Sequence, residues 1–268
     1  MARVAIEAGK MGPASLPLTV WQPFRGAGLE VAALAGGVIL WEALGRLLAM
    51  PWLPPFSKII EALVQFVQSG VILGNVAESL QGLAIGFSIA LIGGLSIGAL
   101  MGRYRRVEKA LDVYVNALLI SPSLIFAPIF FAIFGLSGAV RIAVIVMYSL
   151  FVIIMNTATA IRNVDPALVE MASSFGASER QIFLRILLPA SMPLVFAGIR
   201  LGMGRAVKGM INGEMLIAMV GLGALAQRYG SQFEAAKVFA IALVVLIIAL
   251  VCNWIVQAVE NYWTRWAD

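Results

Sequence analysis

Between Leu80 and Met101 the chain runs for 22 residues without one Asp, Glu, Lys or Arg. A helix needs about 20 mostly apolar residues in a row to cross a bilayer. Lipid offers no hydrogen-bond partner to a peptide group, so only helices and closed barrels span it. Mostly apolar runs of about this length, two of them carrying a few charges, occupy about 29–50, 113–134, 142–161, 194–219 and 238–259. Barrel strands alternate apolar and polar residues, and these runs do not. The sequence therefore predicts an all-α polytopic membrane protein of about six spans. Composition agrees: 61% of the 268 residues are hydrophobic and 12% are charged, against about half and a quarter in a soluble domain.

The chain has no histidine, which removes the commonest acid–base group and metal ligand. Its one cysteine, Cys252, lies in an apolar run and reads as a small packing residue. No CxxC, HExxH or GxxxxGK[ST] pattern occurs, so catalytic residues, metal ligands and a nucleotide site are not expected in this chain. Residues 1–28 lack the compact apolar core of a signal peptide and read as a cytoplasmic tail.

The first span carries Glu30 and Glu42 and is stopped by Pro51-Trp52-Leu53-Pro54-Pro55. Ile59, Ile60, Leu63, Val64 and Val67 then suggest a short helix lying along the membrane surface over Ser57–Gln68. The second span bears Gly82, Gly86, Gly94, Gly98 and Gly102, mostly at four-residue intervals that let helix backbones approach in lipid. After it, Arg103, Arg105, Arg106 and Lys109 fall in one short loop, which the positive-inside rule places in the cytoplasm. We read this loop as a contact for membrane phospholipid, not for nucleic acid. Pro122 and Pro128 predict that the third span is kinked or lines a cavity. Counting from the basic loop, both termini and residues 165–189 are cytoplasmic, and Arg3, Lys10, Arg25 and Arg265 suit that orientation.

Residues 165–189 are a polar knob between apolar runs. Asp165 and Pro166 form a helix start, a cap followed by proline at the first position. Leu168, Met171, Ala172 and Phe175 then make one apolar stripe. Gly176 sits where a left-handed stop belongs. Ser178 to Gln181 has the form of a capping box, opening a second helix through Ile182, Phe183 and Ile186. Two short helices with a sharp turn are expected. The first is too short to cross a membrane, so its stripe covers either the chain's own surface or a groove on a partner.

This knob resembles the EAA loop of ABC-importer permeases: E-A-A, three residues, G, nine residues, I, any residue, L-P. Glu170, Met171, Ala172, Gly176, Ile186, Leu188 and Pro189 occupy those positions, with Met171 in place of the middle alanine. The likeness extends from about Trp52 to the C-terminus and is nearest to the nitrate, sulfonate, taurine and thiamine-precursor group. It implies a type I importer permease domain over residues 29–268 in a bacterial cytoplasmic membrane, acting by alternating access. Its expected partners are a second, identical permease copy, two ATPase subunits and a periplasmic or lipid-anchored solute-binding protein. The loop, with Phe175 on its stripe, would dock on an ATPase. ATP and Mg would be bound by that partner, leaving no cofactor in this chain.

The fifth span carries Arg200, Arg205, Lys208, Asn212 and Glu214. Such groups in lipid usually face an interior or an aqueous path. One reading is a positively lined path for an anion, with Glu214 as counter-charge or gate and Pro122 and Pro128 on the same path. The other is that Arg200 reaches the cytoplasmic interface and the rest pair with Glu214 or a second subunit. Gly221 to Lys237 reads as a re-entrant or docking segment on the outer face, or equally as a plain loop. An ion-coupled secondary transporter would be expected to carry a related second half, and no repeat is present. A membrane enzyme would need a nucleophile–base or metal cluster. The solute is not written in this chain.

Overall fold

The computed structural model describes residues 27–217 and 219–264. Residues 1–26 of the tail, the Glu30 side chain and Arg265 lie outside the described residues. Helix α1 (Ala27–Leu48) is followed by α2 (Phe56–Gln68), α3 (Val71–Arg103) and α4 (Arg105–Ile120). Then come a 3₁₀ turn (Ser123–Phe126), α5 (Ala127–Phe134), α6 (Gly138–Arg162), α7 (Pro166–Ser174) and α8 (Glu179–Ile182). A π-helical segment (Phe183–Leu187) leads into α9 (Leu188–Ile217), and α10 (Gly221–Ser231) and α11 (Ala235–Trp263) complete the order. Among the described residues five helices are long and apolar enough to cross a membrane, or six if the bent α4–α5 pair is one span.

The bundle is built on α6, packed between α3 and α9. Both neighbours meet it with glycines. A methyl group on Gly86 of α3 would lie 2.7 Å from Ile145 Cγ2, and one on Gly202 of α9 would lie 2.6 Å from Ile153 Cγ1. Close backbone approach of this kind is how helices associate in lipid, where apolar burial gives no drive. The row on α3 is legible in the sequence; the row on α9, Gly198, Gly202, Gly209 and Gly213, is broken by a seven-residue step and shows only in the packing. The main core joins Phe87, Ile145, Ile153, Met210, Leu222 and Ile241 from α3, α6, α9, α10 and α11. At the edge stands α1, whose residues 31–40 are exposed; Trp41 meets Phe56 and Phe239 edge-on, and its indole N–H donates to the Pro54 carbonyl at 3.1 Å.

Four expectations are revised. The basic loop is a corner: only Tyr104 separates α3 from α4. The third span is not one kinked helix, because α4 and the segment Ser123–Phe134 meet at 100°. The residue before a proline is driven to extended backbone, and Ser121 (ψ 138°) ends α4 there; Pro128 then sits in the first turn of α5, where a missing N–H costs nothing. The second helix of the knob is not short, since α8, the π segment and α9 form one candidate span over Glu179–Ile217. Gly221 to Lys237 is not a plain loop but chiefly the helix α10, packed on α3, α9 and α11.

Candidate coupling surface and translocation face

At one end of the bundle α7 is capped by its own neighbours. The Asp165 carboxylate accepts from the Ala167 amide at 2.9 Å, and Gly176 takes φ +75° just past the helix. The next start is the expected capping box, with the Ser178 amide donating to Gln181 Oε1 at 2.8 Å and the Gln181 amide donating to Ser178 Oγ. These local closures fold the knob around a core of its own: Val164, Ala172, Ile182 and Leu187, with Val169, Phe183 and Ile186 against them. The stripe expected on α7 is therefore split. Ala172 turns inward, while Leu168, Met171 and Phe175 point out, Phe175 with 87% of its surface exposed. Glu170 is exposed and its carboxylate has no partner among the described residues. Ile186, Leu188 and Pro189 are half-buried beneath. Arg103 of α3 pairs with Glu179 at 3.1 Å and Arg162 of α6 pairs with Glu108 of α4, fastening the helix ends around the knob.

Along α9 a second surface stands out. Leu194, Leu201, Gly204, Arg205, Lys208 and Met215 are exposed at helical spacing, and the positions between them are largely buried. Neither Arg205 nor Lys208 has an ionic or hydrogen-bond partner among the described residues. Asn212, half-buried on the same face, donates from Nδ2 to the Tyr148 hydroxyl of α6 at 2.9 Å. Arg205, Pro122 and Tyr148 line one cleft, whereas Pro128 lies beyond the 3₁₀ turn and outside that cleft. Arg200 does not merely reach outward: it pairs with Glu260 of α11 at 3.3 Å.

The model of the binding-protein-dependent transport system inner membrane component family matches residues 82–264. The chain belongs to this family. It is 28% identical to a formylaminopyrimidine transport permease protein of Halalkalibacterium halodurans, over 85% of this chain and 92% of the relative. It is 30% identical to an Escherichia coli protein assigned to aliphatic sulfonate transport, over 86% of this chain and 89% of that protein. Its fold resembles an inward-facing structure of the MetNI methionine ABC transporter, with TM-score 0.63 and 18% identity, over 74% of this chain and 98% of that one. The chain is thus a multi-pass ABC transporter permease subunit and not an enzyme. Among the described residues no group of three or more His, Cys, Asp or Glu could hold a metal ion.

In this permease Glu214 is fully buried, away from the exposed stripe, and does not pair with Arg205 or Lys208. Its Oε2 accepts from Ser79 Oγ and from the Gly223 amide, both at 2.9 Å, and Ser79 Oγ in turn accepts from the Leu222 amide at 2.9 Å. Ser79, in the first third of α3, and Glu214, near the end of α9, thereby satisfy otherwise open N–H groups at the start of α10. Glu214 is thus not the counter-charge of Arg205 or Lys208; it serves here as a long-range cap. Beside it lies a buried residue that the sequence reading missed. Arg141 of α6 is 8% exposed and pairs with Glu78 at 3.2 Å, while its Nε and Nη1 have no hydrogen-bond partner. Glu78, Ser79 and Arg141 all fall just outside the expected spans, where a hydropathy boundary moves every charge; only the glycines Gly82 and Gly138 beside the guanidinium hint at its packing.

Proposed function

We propose that this chain forms half of the translocation path of an ATP-driven importer, with α7 seated in a groove of a separate ATPase subunit. The observation that carries the reading is the unpartnered surface of α7. A helix of nine residues and its C-terminal neighbour hold Leu168, Met171 and Phe175 in the open, on a knob whose own core is already closed. Apolar side chains presented at helical spacing beside an acid, Glu170, suit a helix-in-groove contact. In this reading the α7 end and both termini are cytoplasmic, as the basic corner Arg103–Lys109 requires. ATP and Mg belong to the ATPase.

The path itself runs along the α9 stripe. A cation near the middle of a spanning helix is costly in lipid and is stable against water or a second subunit. Arg205 and Lys208 therefore face an aqueous path closed by a second permease copy about a two-fold axis, and they favour a small anion, in keeping with the sulfonate relative. A solute-binding protein delivers the solute at the α10 end. Nucleotide binding favours one of two arrangements of the pair and product release the other, so the solute site opens to alternate sides.

The test uses the purified complex in vesicles, with Cys252 replaced by serine and Phe175→Cys as the single thiol. A thiol cross-linker at position 175 should capture the ATPase subunit. Labelling of that thiol by an impermeant reagent from outside intact cells, or no capture of a second polypeptide, would overturn the assignment. Glu170→Ala should leave hydrolysis running while uptake falls.

A further inference from the structure

The break between α4 and α5 sits against α6 and α9 and encloses a polar cleft of ≈ 260 Å³ lined by Ser121, Pro122, Ser123, Tyr148, Val152 and Arg205 among others. Three separate features of this cleft point the same way. Non-helical backbone at membrane depth is tolerated only where protein buries it or water fills the space beside it; here Pro122 is exposed. Proline has no N–H, so the Leu118 carbonyl one turn before it loses its helical donor and calls for water. Arg205 is a cation without a carboxylate among the described residues. It stands about 25 Å from the first residue of α9 and about 18 Å from its last, at 1.5 Å per residue.

The tyrosine adds direction. Its hydroxyl accepts from Asn212 Nδ2 at 2.9 Å. A phenol has one proton to give as well as lone pairs to offer, so with the lone pair engaged by the amide, the proton is left for the cleft. Ser121 Oγ is occupied, donating to the Ala117 carbonyl at 2.8 Å, whereas Ser123 Oγ has no partner among the described residues. One unpaired cation and two hydroxyl groups around a polar cleft make a place for an oxyanion.

We infer that this cleft is an oxyanion-binding stop within the permease. Arg205 supplies the charge, Tyr148 and Ser123 donate to the oxygens, and Asn212 is a positioning residue that keeps the tyrosyl proton pointed inward. The inference rests on the importer reading with an anionic solute. It gives the membrane subunit a selectivity of its own, against neutral solutes of the same shape, independent of the binding protein.

The experiment uses the complete permease–ATPase complex in lipid nanodiscs, without binding protein. Methanesulfonate is titrated calorimetrically, and dimethyl sulfone serves as the uncharged probe of similar size. The complex should bind methanesulfonate and not the sulfone. Tyr148→Phe, which keeps the ring, and Ser123→Ala should each weaken binding about tenfold, in line with loss of a hydrogen bond to a charged group. Arg205→Gln should weaken it at least as much. Asn212→Asp turns the donor into an acceptor and captures the tyrosyl proton; it should weaken binding in the native background but add little to Tyr148→Phe, whereas a merely structural or charge-repulsive effect would persist in both. Co-purification with the ATPase and an unchanged melting profile qualify each variant. If the native complex hydrolyses ATP but binds methanesulfonate no better than the sulfone, or binds it indifferently to all four substitutions, the stop is refuted and the importer reading stands. If the chain captures no ATPase, both fall.

Discussion

Two short helices close opposite ends of this bundle, and they are held by opposite means. Helix α7 is capped from within two residues of its own start, by Asp165, and leaves Leu168, Met171 and Phe175 uncovered. Helix α10 is capped from across the bundle, by Ser79 and Glu214, and buries Leu222 and Leu225 in the main core. A locally capped helix keeps its shape wherever the rest of the chain goes. A helix whose first amides are answered by two other helices has a shape only while those helices stay together. The first arrangement suits an element that a partner grips; the second suits one that registers how the bundle is assembled. Glu42 of α1 does for α2 what Glu214 does for α10, accepting the Ser57 amide at 2.9 Å.

That contrast is exposed to experiment. The largest effect is expected at Gly223→Ala, whose methyl would lie 2.5 Å from the Ile211 carbonyl oxygen and 2.6 Å from Glu214 Cβ. Overpacking against backbone should cost about 3 kcal/mol, read as a lowered denaturation midpoint of the detergent-solubilised chain. A variant as stable as the native protein would mean that α10 is not locked. Glu214→Ala leaves the Gly223 amide and the Ser79 hydroxyl without their acceptor and should cost about 2 kcal/mol; Glu214→Gln, which keeps an acceptor oxygen, should cost less. At the other end Phe175→Ala should shift global stability by no more than about 0.5 kcal/mol, yet lower ATP-driven uptake about tenfold as an interface anchor is lost. A destabilised Phe175→Ala protein with normal coupling would reverse the comparison. The smallest effect is local: Asp165→Ala should weaken α7 by about 1 kcal/mol and speed hydrogen exchange of its amides about fivefold, with α10 unchanged.

The same contrast explains what could be read in advance. Asp165, Gly176, Ser178 and Gln181 act within a few residues of their partners, so their roles are written in short spacings, and the structure places them as read. Partners of α10 lie 9 residues away for Glu214 and Gly223 and 143 for Ser79 and Leu222, and no local pattern carries such a link. Three glycines in Gly221 to Gly230 argued against a helix on propensity. Two of them are there because bulkier residues would collide: Gly221, with φ +85° and no room beside the Glu214 carboxylate, and Gly223, against the Ile211 carbonyl; Gly230 stands in open space. Pro122 signalled a perturbed helix correctly, but proline in a membrane span is equally compatible with a bend and a break. Arg205 and Lys208 were visible as charges out of place; that they share an exposed face with a cleft, and that Tyr148 and Ser123 complete it, needed the packing of three helices.

One continuous stretch of helix, Glu179 to Ile217, joins the two ends. At 1.5 Å per residue its 39 residues form a rod about 58 Å long, so a tilt of about 5° at its foot carries the far tip about 5 Å sideways. Its foot contains the π segment and Pro193, the places where such a rod yields most readily. The stiff shaft above them carries Arg205 part-way and Glu214 near the tip. In the proposed importer, a small swing of the knob would become a solute-sized displacement at the far end of the bundle only while that foot stays stiff; bending there would let the knob move without the tip.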